Sequence, residues 1–399
     1  MEHGNWHLSQ VPGIDAMLIG HSHQPFPDAA STIRQFNLPG VDKAKGTVNG
    51  MPTVMANFWG KHLGLIRMSL VWDGSRWAVD RTQTTAELRA AKKADGSYVE
   101  ADPSVRAAVA EEHQATIEYV KTPIGSTDFE MSTFFADVGD VTAIQVVNQA
   151  QAEYVAKLLK ASLPQYAHLP VLSMASPFKG GFGGDFTNVA AGPLAINNAA
   201  DLYLYPNTLQ AVKVSGADIR KWLETSARRF NRIDPAKTAP QELVASVPSY
   251  NFDMLTSPDV SYEIDVTQPL GNRIRNLTYK GGPMSPSQEF VIATNNYRAS
   301  GGGNFPGMDG TRTILQAPDE NREIVIEYIK NAGALTRAAN GSARSWRFAK
   351  VSTAGPVRLR SAPGKIGLAR AAGIANVTQV AADDGSGKNL AIYEVDLSK

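Results

Sequence analysis

A chain of 399 residues, 43% hydrophobic and 19% charged, carries enough apolar material for two domains with cores of their own. Its formal net charge of +1 excludes the basic field that nucleic-acid polymers require and the acidic field of a solvating tail. It has no cysteine, which excludes disulfides and thiolate metal sites, and no run reaches the roughly 18 apolar residues of a membrane span.

The first five residues lack the charged and apolar regions of a signal peptide, so no export signal is expected in this chain. Residues 16–19 are a short apolar run that ends at Gly20 and delivers His21 and His23 in an i, i+2 relation. The pattern predicts a strand that turns at a glycine, where φ > 0 costs nothing, and presents two imidazoles on the loop beyond it. Neutral imidazole is the commonest metal-ligating side chain, which makes His21 and His23 candidate ligands. Two ligands do not hold a catalytic metal, and spacing alone fits a pair of loop histidines equally well. Residues 28–50, rich in Gly, Pro and Asp, read as a long loop. Alternating apolar positions predict strands over 54–64 and 66–72, with His62 a turn histidine near the site rather than a ligand.

Asp102 as N-cap and Pro103 at the first helical position predict a helix, which Val105, Val109, Ile117 and Val120 carry to residue 120. A helix between two strand-patterned regions reads as a connector. The expected domains are therefore 1–100, a connector over 101–121, and 122–399.

In the last of these, 141–159 is an amphipathic helix, and 169–175 a strand entering a glycine-bearing loop whose N–H groups can face an anion. Lys179 in that loop is a candidate phosphate contact, a place a solvated lysine also fills. Residues 200–205 are expected as a strand stopped by Pro206. Residues 290–294 are expected as a buried strand ending in Asn295, Asn296 and Tyr297, before a run of glycines. Stacking on an aromatic ring contributes roughly 1–3 kcal/mol per base. Tyr205 and Tyr297 could thus clamp a nucleobase with Asn295 or Asn296 at its edge; alternatively both tyrosines cap strand ends in the core.

Gly20-His21-Ser22-His23 after an apolar strand resembles the last metal-binding motif of the calcineurin-like metallophosphatases. Several further stretches recur together: the Asp201–Thr208 run, Tyr250–Met254, Val260–Pro269, Asn295–Ala299 before its glycines, Pro318–Arg322 and Ile392–Leu397. In combination they resemble the 5'-nucleotidase family, in its branch acting on 2',3'-cyclic nucleotides and 3'-nucleotides, nearly end to end.

The resemblance implies an α/β (α+β) fold. It would comprise the C-terminal remnant of a metallophosphatase β-sandwich, a connector helix, and a complete 5'-nucleotidase C-terminal α/β domain. It implies phosphoester hydrolysis at two divalent ions (Mn, Co, Zn or Mg, not distinguished) held in part by His21 and His23, with the base between Tyr205 and Tyr297. Small-molecule nucleotides and nucleosides are the expected partners of a periplasmic monomer, with no nucleic-acid polymer and no membrane. In the family the acid/base histidine and the earlier ligand motifs precede the histidine pair. Only twenty residues do so here, so no catalytic residue is assigned and the chain alone is expected to be catalytically deficient. The alternatives are a nucleoside-binding module without catalysis, and a 5'-nucleotidase or nucleotide-sugar hydrolase. Residues 175–180 and Gly303 depart from the 5'-specific pattern. Strands cut from their sheet also lead us to expect exposed apolar patches and low solubility.

Overall fold

The computed structural model describes residues 3–181 and 184–399. They form a mixed α/β chain that divides into two compact units, Met1–Glu111 and Glu112–Lys399.

In the first unit the strand expected after Asp15 is β1 (Met17–Ile19), parallel to β2 (Met51–Ala56) with Leu18 opposite Val54. Met17, Phe26, Phe36, Val48, Met51 and Met55 make a small core beneath them. The 28–50 region is more ordered than a loop. Asp42 accepts from the N–H groups of Ala44 and Lys45 at 3.0 and 2.9 Å, closing a turn between the short strands Val41–Asp42 and Thr47–Val48. Beyond β2, β3 (His62–Trp72) and β4 (Trp77–Ala90) form an antiparallel hairpin. Its turn is held by Asp73 Oδ1, which accepts from the N–H groups of Ser75 and Arg76, both at 2.8 Å. β4 was not expected: WAVDRTQTTAELRA has too few apolar positions to show the period of a strand.

Asp102 does cap a helix, its Oδ1 accepting from Ser104 N at 2.8 Å. That helix is interrupted at Val109, giving Pro103–Ala108 and Ala110–Val120, and its Val105 and Val109 are exposed.

The second unit is built on a five-stranded sheet and the long helix α1 (Thr142–Ser162). Its strands are β5 (Val171–Ala175), β6 (Thr208–Ser215), β7 (Met254–Leu255), β8 (Glu289–Asn295) and β9 (Thr313–Glu320), in the spatial order β7-β5-β8-β6-β9. β5 and β8 run parallel, and the other pairings are antiparallel. Phe290, Val291, Ile292 and Ala293 are all buried, the continuous apolar run of a strand covered on both faces. A polar network locks α1 to the sheet. Ser173 Oγ donates within 2.8 Å to Asn148 Oδ1 and Gln151 Oε1, and Gln151 Nε2 donates to Asn321 Oδ1 at 2.8 Å.

The strand expected over 200–205 is absent. The segment Ile196–Leu202 is a helix, and Asn198 Oδ1 accepts the N–H of Ala195 at 2.8 Å at its start. Ile196, Ala199 and Leu202 are its buried face. This three-residue spacing begins before the run that was read as a strand, and the strand itself starts only at Thr208.

Candidate functional site

Strand direction brings four loops to one end of the five-stranded sheet. β6 and β8 are antiparallel with Leu209 opposite Asn295, so the loop before β6 and the turn after β8 emerge together. β5, parallel to β8, ends there too and delivers Phe178 and Lys179. β7 pairs with Met254 opposite Ala175, which brings residues 249–253 to the same place. This is the carboxyl end of the parallel pair, where open α/β sheets collect ligands.

The loop before β6 carries Tyr205, 44% exposed, and the turn after β8 carries Tyr297, 49% exposed. Neither is sealed in the core. Tyr205 is met edge-on by Phe178 at 5.0 Å, and Phe178 meets the buried Tyr203 at 4.9 Å. The loop is pinned from behind. Arg322 donates to the carbonyls of Tyr203 and Leu204 at 3.1 and 2.6 Å, and Asn321 Nδ2 donates to that of Asn207 at 2.8 Å. Tyr297 lies against Gly302, where an added Cβ would overlap ring atoms Cδ1, Cε1 and Cζ.

A third tyrosine, Tyr250, stands on the 3-10 turn Ser249–Asn251 and is 39% exposed. Burial and the nearby phenols of Tyr297 and Tyr205 push its pKa up, while Arg298 works the other way. All three phenols thus share one neighbourhood. Arg298 fastens it: Nε lies 2.7 Å from Asp253 Oδ2, and Nη2 donates to Asp253 Oδ1 at 3.1 Å and to the Tyr250 carbonyl at 2.7 Å. Its Nη1 donates to the Gly302 carbonyl, and the guanidinium covers Phe305 at 3.9 Å. Trp222 Nε1 completes the pairing of Asp253 at 2.7 Å. Phe178, Tyr250 and Arg298 escaped the sequence reading of the site. Only Tyr250 carried a signal, as an aromatic residue in a Pro-Ser-Tyr-Asn loop just before a strand.

The remaining candidates divide. Asn295 is occupied in the turn, its Oδ1 accepting from Arg298 N at 2.8 Å and its Nδ2 donating to Tyr203 Oη at 3.1 Å. Asn296 has a buried Oδ1 with no hydrogen-bond partner among the described residues. Lys179 is paired with Asp201, which also accepts from Asn188 N at 3.0 Å, so a phosphate would have to compete for its charge.

In the first unit His21 and His23 both take left-handed backbone conformations, φ 69° and 56°, unusual for residues with a Cβ. The His23 ring stacks on Phe58 at 5.2 Å. Among the described residues no group of three or more His, Cys, Asp or Glu side chains could hold a metal. A catalytic metal needs at least three protein ligands, so the two imidazoles do not fit a two-metal centre by themselves. No chemical step is derived through one.

Residues 123–310 match the family model of the 5'-nucleotidase C-terminal domain. Among described residues no helix is long and apolar enough to cross a membrane. Over its whole length the chain is 41% identical to the 2',3'-cyclic-nucleotide 2'-phosphodiesterase/3'-nucleotidase of Salmonella typhimurium, covering 63% of that protein. It is 38% identical to the protein of the same name from Haemophilus influenzae, covering 62% of it. The chain therefore spans somewhat less than two thirds of the length of these relatives. Its fold is similar to a crystal structure from Staphylococcus aureus described as a 5'-nucleotidase, with a TM-score of 0.56 at 18% identity over 84% of this chain and 56% of that one.

Proposed function

We propose that this chain serves the metal-dependent hydrolysis of 2',3'-cyclic nucleotides and 3'-nucleotides, with the nucleobase held between Tyr205 and Tyr297. The observation that carries the reading is a coincidence of two facts. The chain is 38–41% identical to relatives bearing that name, and two half-exposed tyrosines converge at the carboxyl end of a parallel strand pair. In this reading residues 1–100 belong to a metallophosphatase domain that offers His21 and His23 toward divalent metal. Residues 101–121 connect, and 122–399 hold the base, with Asn296 at its edge and Lys179 near the phosphate. Small nucleotides are the partners of a periplasmic monomer. Base stacking fixes the substrate in place, so that binding energy far from the phosphate goes into orientation.

Calorimetry with adenosine tests the clamp. Binding to the wild type should weaken by roughly 1–3 kcal/mol in Tyr297→Ala. Equal weak signals from both proteins would leave packing as the only role of the ring.

The shortage of metal ligands among the described residues favours a second reading, in which this polypeptide holds nucleosides without turning nucleotides over. Incubating the pure protein with 2',3'-cyclic AMP or 3'-AMP and Mn²⁺ or Co²⁺ separates the two. Phosphoester cleavage supports hydrolysis, and adenosine binding with no cleavage supports the module.

A further inference from the structure

We propose that Tyr250 is the residue that recognises the sugar, its phenol hydroxyl hydrogen-bonding a ribose hydroxyl while Tyr205 and Tyr297 hold the base. This role, which rests on the nucleobase clamp, makes the site one for ribonucleosides rather than for bare heterocycles.

The turn Ser249–Asn251 lies between the two loops that carry the clamp. The Tyr250 carbonyl accepts a hydrogen bond from each of them. From one, Ser176 Oγ donates at 3.0 Å, two residues ahead of the Phe178 ring that meets Tyr205 edge-on at 5.0 Å. From the other, Arg298 Nη2 donates at 2.7 Å, and that guanidinium stands 5.8 Å from the centre of the Tyr297 ring. A glycine lets the first loop close on the turn: a Cβ at Gly180 would come within 2.6 Å of Ser249 Cβ. Phe252 and Asp253, which follow, are buried, and Asp253 is held by Trp222 and Arg298. The backbone of Tyr250 is thereby fixed on both flanks and behind.

Its side chain engages nothing in return. Among the described residues no aromatic ring meets the Tyr250 ring and no group hydrogen-bonds its hydroxyl, and the residue is exposed. A tyrosine that served packing would bury its ring and pair its hydroxyl. Here an anchored main chain presents an apolar ring with a polar tip at the end of the sheet where the clamp stands. A ligand would meet a group already in place, with little left to order.

The part of the ligand that Tyr250 meets follows from how a nucleotide is joined. Two rings suffice for the two faces of a base. Lys179, the candidate phosphate contact, stands one residue after Phe178, on the loop that braces Tyr250 through Ser176 and Gly180. The sugar links base to phosphate, so the group between the clamp and that loop is the ribose. A phenol hydroxyl both donates and accepts, as a sugar hydroxyl does.

Calorimetry on the full chain compares adenosine with 9-methyladenine, which keeps the base and replaces the sugar with a methyl group. Tyr250→Phe should weaken adenosine roughly two- to tenfold, the range of one hydrogen bond between uncharged groups, and leave 9-methyladenine unchanged. Its melting temperature should equal that of the wild type, since only an unpaired, exposed hydroxyl is removed. Tyr297→Ala should weaken both ligands. Unchanged adenosine affinity in Tyr250→Phe, or an equal loss of both ligands, would overturn the sugar contact. If Tyr297→Ala weakens both ligands while Tyr250→Phe weakens neither, the clamp stands and the sugar contact falls. If the wild type binds neither ligand, both fall together.

Discussion

In the second unit β8 lies inside the sheet with Phe290, Val291, Ile292 and Ala293 all buried, and every neighbouring strand adds to one continuous core. In the first unit the hairpin β3–β4 is a two-stranded sheet of its own, and Leu70, Val71, Trp72 and Trp77 are more than half exposed. A two-stranded ribbon has little stability of its own in water, and this one leans on its unit near Gly64, which lies against the Val54 side chain, whereas a strand covered on both faces is rigid. The consequence reaches the candidate sites. The tyrosines stand on loops fastened by buried groups, namely Arg298 and Asp253 under Tyr250 and Tyr297, and Asn321 under the Tyr205 loop. The histidine pair follows a three-residue strand over a six-residue core.

The sharpest way to break this comparison is to remove one arginine from each unit. Arg298→Ala would leave Asp253 buried without its cation and should cost about 3–5 kcal/mol in urea denaturation. Arg67→Ala deletes an exposed partner of Glu87 on the hairpin and should leave the midpoint where it was. Comparable losses from both would mean that the two units are equally consolidated.

Acid separates the units next. Asp140 in the second unit is raised by burial from 3.8 to about 6, the Ser345 hydrogen bonds and Arg344 only partly opposing the shift. The folded state therefore holds that proton more tightly than the unfolded chain does. The buried charge costs stability fully above pH 6, and the cost fades as pH falls through 6 toward 4. Asp140→Asn should be more stable than wild type at pH 7.5, by at most about 3 kcal/mol for a shift near two pKa units. The gain should vanish by pH 4. Asp73, in the hairpin turn, is held below the usual carboxylate range by the N–H groups of Arg76 and Ser75. Its contribution has the opposite sign and is lost in acid. A pH-independent gain in Asp140→Asn would show that the carboxyl does not titrate in this window.

A smaller effect is expected from Gly302→Ala. Gly302 is not in the left-handed region, so alanine brings no backbone strain, and the atoms nearest its Cβ are those of the Tyr297 ring. Adenosine affinity should drop by up to the roughly 1–3 kcal/mol of a lost stacking partner, with the melting temperature nearly unchanged. Retained affinity would mean that the ring can move aside and still stack.

How far such features were legible in the sequence follows the same division. Runs buried on both faces announce themselves: the expected 290–294 segment lies within β8, and the helix expected over 141–159 is α1, which starts one residue later and runs three residues further. The Asp102–Pro103 start was visible because capping is local chemistry. β4 was not visible, because a strand with half of its surface in water keeps few apolar positions. Nor was Arg298, since an arginine in a glycine-rich loop reads as solvated until the fold brings Asp253 beneath it. The nearness of Tyr205, Tyr250 and Tyr297 depends on strand register, set by contacts between segments far apart in the chain.

The least disruptive change tests the exposed end of the comparison. Trp72 and Trp77 face each other across the hairpin end with ring centroids 5.5 Å apart, both more than half exposed. Such a pair contributes about 0.5–1.5 kcal/mol to the ribbon, but neither ring belongs to a buried core. Replacing both with serine should therefore leave the main unfolding transition in place. Contiguous exposed aromatics are what drives association, so light scattering at high concentration should fall. If scattering stays high while the unfolding midpoint drops, the rings are part of a consolidated structure, and the hairpin is not the loosely held element that its exposure implies.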